Sequence, residues 1–171
     1  MKALWLVLLL AIPACREEAA EAPAPMAMTA DALSFYCQMS IAEHGGPKGQ
    51  VHLSGQATPL FFAQVRDMVA YLKSPEREAE ITAIYVSDMG AAPSWRFPGD
   101  DNWIDAQSAR FVVDAGVAGG MGAPEIVPFA DERAADAFVG RYGGAVVTLD
   151  TIPDGAALDP IDLDAKLEDP V

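Results

Sequence analysis

DERAADAFVGRYGGAVVTL, residues 131–149, reads as a helix followed at once by a strand. Asp131 to Tyr142 carry the helical pattern, and Gly143-Gly144 suit the left-handed conformation that ends a helix. Ala145 to Leu149 are then too rich in β-branched residues to continue it and read as a strand. Upstream, Ala109 to Asp114 and Glu125 to Phe129 are two further strand candidates, so this half runs strand, strand, helix, strand. The first half has a matching order. Gln50 to Ser54 form a short strand after Gly45-Gly46-Pro47. Thr58 is a good N-cap and Pro59 suits a first helical position. Phe61, Val65, Met68 and Leu72 recur at helical spacing, which predicts a helix over Pro59 to Lys73. Ile81 to Ser87 (ITAIYVS) is a strand. The expected class is α+β, with two ββαβ units in tandem over residues 34–98 and 99–153. Their boundary lies in the turn-rich stretch Gly90 to Asp101.

The ends of the chain differ in kind. Lys2 is the only charge before an apolar run, Leu4 to Ile12, that is too short to span a bilayer core. It is followed by Pro13-Ala14-Cys15, the pattern of a secretory signal. Ile12-Pro13-Ala14-Cys15 resembles a bacterial lipobox, so residues 1–14 are expected to be a lipoprotein signal peptide and Cys15 the lipidated residue. Residues 15–33, rich in Glu, Ala and Pro at their start, are expected to be a flexible tether. Residues 154–171 carry six acids and one lysine and are expected to be a disordered acidic tail. The formal charge is −14, and so acidic a chain repels nucleic acid and anionic headgroups alike. Acyl chains would hold it at a periplasm-facing membrane, and Arg16 after the lipidated cysteine favours the outer membrane.

With Cys15 acylated, Cys37 is left with no cysteine partner, and an unpaired thiol in an exported protein suggests a reactive or liganding role. Cys37 and Met39 form a Cys-Gln-Met motif. If it is extended, both sulfurs point to one face, and soft sulfur donors select Cu(I). A buried cysteine and a core methionine are the plain alternative. Met121, flanked by glycines in Gly119-Gly120-Met121-Gly122, has no helical stripe to explain it and is the leading third donor. Met89, in Ser87-Asp88-Met89-Gly90, is its counterpart in the first half and its competitor. Met26 and Met28 fall in the expected tether. His44 and His52 are as readily structural as liganding. Trp95, Trp103 and Tyr36 could wall a site, although packing is the ordinary role of aromatics. Asp100, Asp101 and Asp105 read as a solvated loop.

The chain has no His-x-x-x-His, no Cys-x-x-Cys, no phosphate-cradling loop and no Gly-x-Ser-x-Gly. Its ordered blocks are Tyr36-Cys37-Gln38-Met39-Ser40-Ile41, Gln64-Val65-Arg66-Asp67, Ile84 to Gly90, Asn102 to Ala106, Gly120 to Glu125 and Val127 to Ala130. Together with the lipobox they resemble the NosL family, copper-binding lipoproteins associated with nitrous oxide reductase. Gln38 departs from the pattern, because many relatives carry glycine there, and it is expected to alter the loop geometry. The resemblance implies a fold similar to that of organomercurial lyase. It also implies a Cu(I) chaperone serving apo-nitrous oxide reductase, whose catalytic centre is a copper–sulfide cluster, and its membrane-bound maturation machinery. Cys37 and Met39 carry over as copper ligands, and Met121 with them. An enzyme is disfavoured, since organomercurial cleavage needs two cysteines and an acid and this domain offers one thiol. The remaining alternative is a docking lipoprotein of the same machinery with a buried, non-ligand Cys37.

Overall fold

A computed structural model describes residues 22–161 apart from Arg77, so the expected signal peptide and Cys15 lie outside the described residues. The strands are β1 (Gly49–Leu53), β2 (Leu60–Phe62), β3 (Ile81–Ser87), β4 (Trp103–Asp105), β5 (Arg110–Val113), β6 (Val127–Phe129) and β7 (Ala145–Val147). The helices are α1 (Val65–Lys73), α2 (Glu132–Tyr142) and α3 (Asp154–Leu158). Both sheets are antiparallel, in the orders β2-β1-β3-β4 and β6-β5-β7. In each, the first strand of the unit is flanked by its second and third, so the two ββαβ units share one topology.

Two of the expected boundaries move. Leu60–Phe62 pairs with Val51 to Gly49 as β2, so α1 begins at Val65 and not at Pro59. The helical spacing of Phe61 with Val65 is real, but pairing with β1 satisfies the backbone of residues 60–62 and overrides it. Trp103–Asp105, assigned by sequence to the second unit, pairs with β3 and extends the first sheet. By contrast, α2 runs Glu132–Tyr142 as expected. Asp131 caps it by accepting the Arg133 N–H, and Gly143 ends it at φ 74°.

All five residues of β1 are buried. Gly49, Val51 and Leu53 alternate onto the side of α1, where Met68 packs so closely that a Cβ on Gly49 would lie 2.5 Å from its sulfur. Val51, Leu53, Phe62, Val65, Met68, Val69 and Val86 form the main core. Phe111, Val113, Ile126 and Ile152 of the second unit join it. Val112, on the opposite face of β5, packs with Val127, Phe129 and Ala135 beneath α2. A period of two on β5 therefore ties the units into one body.

The other face of β1 is covered by residues 22–28, which are docked and not the expected tether. Gln50 grips this strap from both sides. Its Oε1 accepts the Met26 N–H at 2.9 Å, and its Nε2 donates to the Met26 carbonyl at 3.0 Å. The Tyr85 hydroxyl donates to the Pro23 carbonyl at 2.7 Å, and the Met28 N–H to the Asp100 carbonyl at 2.8 Å. Met28 is buried with Ile41 and Ala63. A Pro-containing stretch has little chain entropy to lose, and its backbone polar groups find side-chain partners here. The start of the expected acidic tail is also ordered. Residues 154–158 form α3 on α1, with Arg66 donating to the carbonyls of Ala156 and Asp159 and Lys73 to that of Ile152.

Gln50→Ala removes both grips and leaves His52 without its partner. It should cost roughly 1–3 kcal/mol in urea denaturation and raise amide exchange at Met26 far above that of β3.

Candidate metal-binding rim

The Cys-Gln-Met motif is a closed loop and not an extended segment. Leu33 and Ser40 bridge antiparallel at its base. Inside it, the Ser34 N–H donates to the Met39 carbonyl and the Gln38 N–H to the Ser34 carbonyl, both at 2.9 Å. Gln38 sits at φ 56°, in the left-handed region. Glycine adopts that conformation without strain, whereas Gln38 offsets it by donating from Nε2 to the Phe35 carbonyl at 2.7 Å. In this chain Gln38 has a conformation that glycine adopts freely, and its own amide holds it there.

The loop stands on the corner between β2 and α1. The buried Ser34 Oγ accepts the Ala63 N–H at 3.2 Å, and the Phe35 N–H donates to the Phe61 carbonyl at 2.7 Å. Rings of Phe35, Tyr36, Phe62 and Tyr71 pack at centroid distances of 5.3–5.8 Å beneath it. Cys37 is a free, half-buried thiol, and Met39 is 42% exposed. The alternative of a deeply buried cysteine does not hold.

Two further loops meet the same corner. Ile41–Glu43 is a single 3-10 turn that delivers His44 against Gly120, its Nδ1 3.4 Å from the Gly120 carbonyl. The backbones touch: a Cβ on Gly120 would lie 2.5 Å from the Cβ of His44 and 2.8 Å from the Gly45 carbonyl. The His44 Nε2 is buried with no hydrogen-bond partner. Met121 follows, 44% exposed, its N–H donating at 3.0 Å to Oε1 of Gln64 on the β2–α1 corner. The corner thus carries Cys37, Met39, His44 and Met121 on its adjoining loops.

The competitors go elsewhere. Met89 packs against the core cluster beneath α2. His52 lies under the strap, its Nε2 2.8 Å from Gln50 Oε1, and burial holds its pKa below the ordinary value. Trp95 lies beneath Gly45-Gly46, and Trp103 stacks near Phe61. Asp105 accepts the N–H groups of Gln107 and Ser108, a turn role. Among the described residues no three His, Cys, Asp or Glu side chains gather to hold a metal.

Two buried ionisable side chains support the rim, and sequence reasoning missed both. The Lys48 Nζ donates to the carbonyls of Gly45 (3.2 Å), Gly46 (2.9 Å) and Ala63 (3.1 Å). Desolvation pulls its pKa down to about 8 against the opposing pull of Glu125. Oε1 of Glu125 accepts the N–H groups of Arg66 and Ile126, each at 3.0 Å, while Oε2 is buried without a partner. Burial pushes the Glu125 pKa up to about 8, against these two donors and Lys48. Neither residue stands out in a sequence, because charged side chains are exposed by default and no spacing signals the exception.

The structure therefore defines a small two-sheet α+β domain that presents one thiol and two thioethers on an exposed rim. The NosL family profile matches residues 25–157. The copper-binding lipoprotein NosL of Achromobacter cycloclastes is 49% identical over 152 residues, covering 88% of this chain and 79% of that protein. The protein of the same name from Stutzerimonas stutzeri is 34% identical over 138 residues, covering 80% and 70%. The crystal structure of the copper chaperone NosL from Shewanella denitrificans aligns with TM-score 0.72 at 32% identity, covering 77% of this chain and 97% of that one. The solution structure of apo-NosL from Achromobacter cycloclastes aligns with TM-score 0.50 at 50% identity, covering 67% and 92%. The chain belongs to the NosL family, whose relatives here are named as binding proteins and not as enzymes.

Gln38→Gly should leave the loop intact, whereas Gln38→Val should cost about 1–2 kcal/mol, read from chemical denaturation. Glu125 gives a second expectation. Its folded pKa of about 8 lies above the ordinary 4.5, so between those values the folded state keeps a proton that the unfolded state has lost. Its contribution to stability is full below about 4.5 and declines as pH rises towards about 8. Urea midpoints should show this decline in the wild type and lose it in Glu125→Gln.

Proposed function

We propose that this chain is a Cu(I) metallochaperone, lipidated at Cys15 and facing the periplasm from the outer membrane, which delivers copper to apo-nitrous oxide reductase during assembly of its copper–sulfide centre. Cys37, Met39 and Met121 hold the metal. The observation that supports this most directly is that the loops carrying a half-buried thiol and two exposed thioethers are anchored at one corner. Copper is the name its relatives carry. A thiolate with two thioethers is a soft donor set, which suits Cu(I) and discriminates against Zn, Mg and Ca.

Chaperoning follows from exposure. A ligand at the surface can be displaced by an incoming donor without unfolding the carrier, so copper passes by stepwise exchange of sulfurs. His44 lies on the adjoining loop, but its unpartnered Nε2 is buried. The chain's charge of −14 favours approach to a less acidic acceptor. The partners are apo-nitrous oxide reductase and its membrane-bound maturation machinery.

Anaerobic competition against a chromophoric Cu(I) chelator should give one site. Cys37→Ser should abolish competitive binding, and Met39→Leu and Met121→Leu should each weaken it roughly tenfold, about one lost ligand's worth. Undiminished affinity in Cys37→Ser would sink the site. X-ray absorption on the Cu(I) form should count three sulfurs and decide whether nitrogen from His44 is present.

A further inference from the structure

We infer that Gln64 is the positioning residue for Met121, and that Glu125 caps helix α1 in its place so that Gln64 is free for this task. The inference rests on Met121 being a copper ligand, as proposed above.

Met121 occupies the tip of a tight turn, closed by the Gly122 N–H on the Gly119 carbonyl at 2.9 Å and the Gly119 N–H on the Ala123 carbonyl at 2.8 Å. Its exposed side chain belongs to none of the core clusters. An unbranched thioether on a loop tip ordinarily moves with its loop, and ordering it on a metal costs entropy. Here the backbone beneath it is held. The Met121 N–H is taken by Oε1 of Gln64, a buried residue 57 positions away in the chain.

Gln64 is itself at an unusual post. It is the N-cap of α1, where a short polar side chain normally folds back onto the first turn. Gln64 makes no such bond. Its Nε2 donates to Asp67 Oδ2 at 3.2 Å, which turns Oε1 the other way, towards Met121. The orphan N–H that a cap would have taken, that of Arg66, goes to Glu125 Oε1 from the second unit. Because the Glu125 oxygen takes this N–H, the amide of Gln64 is left unclaimed.

Gly119 completes the fit. A Cβ there would lie 2.3 Å from Glu125 Oε2 and 2.5 Å from Gln64 Oε1. The two polar groups fill the space directly under the turn, so the loop rests on them at one height. Met121 is presented by a backbone preorganised from below, which lowers the cost of recruiting its sulfur.

The test is a double-mutant cycle in the full-length folded domain, using Cu(I) alone as probe. Gln64→Leu keeps most of the side-chain volume but cannot accept the Met121 N–H and adds no soft donor. It should weaken Cu(I) roughly fivefold, about what one neutral hydrogen bond contributes. In a Met121→Leu background the same change should have no further effect, because the two residues act through one contact. An equal loss in both backgrounds, or no loss in the first, overturns the inference. No loss in Met121→Leu alone removes Met121 as a ligand, and that failure is separate because the proposed site falls first. The wild type supplies a readout that needs no variant to fold: the Met121 amide should exchange much more slowly than that of its half-buried neighbour Gly120. Exchange as fast as that neighbour's overturns the inference.

Discussion

The carboxyl group of Glu125 holds the molecule together where its two halves meet. It is buried, and an ionised carboxylate taken out of water without compensation would be too costly to keep. Compensation comes from three sides: the N–H of Arg66 at the start of α1, the N–H of Ile126 at its own strand, and the nearby charge of Lys48. Raising its pKa to about 8 does the rest, since the neutral form needs less solvation. The group therefore joins the first helix of one unit to the residues just before β6 in the other. Removing either side of that contact strands the other.

From this junction the loops acquire their places. The two ββαβ units share a strand order, and their common core runs from Val51 through Met68 to Phe111 and Ile126. Lys48 draws the carbonyls of Gly45 and Gly46 to that of Ala63, which brings the His44 loop to the β2–α1 corner. Gly120 then lets the second unit's loop approach within contact of His44. None of these supporting groups carries a soft donor, yet the arrangement of the donors depends on them.

The rim joins two opposed features. Buried supports fix the loops from below, while Met39 and Met121 stay exposed above them. In the proposed role the first would hold a metal and the second would let it go. The strap over β1 follows the same division, since Gln50 and Tyr85 pin it on the face opposite α1, away from the aromatic cluster under Cys37.

The sequence by itself determined the α+β class, the repeated element order, strand β3 and helix α2, because periodicity and terminal signals are local. Asp131 and Gly143 mark the ends of α2 with side-chain and backbone chemistry that needs no partner elsewhere. It also singled out Cys37, Met39 and Met121, since an unpaired thiol and a methionine among glycines are conspicuous in one dimension. Only the tertiary structure decided the rest. Pairing with β1 turned Leu60–Phe62 from helix to strand, and docking on Gln50 turned an apparent tether into a strap. Met89 and Met121 look alike in sequence, and packing sent one to the core and the other to the rim. Lys48, Gln64 and Glu125 carry no local signature at all. Their roles come from hydrogen bonds between residues far apart in the chain, and such contacts exist only once the two units have closed on each other.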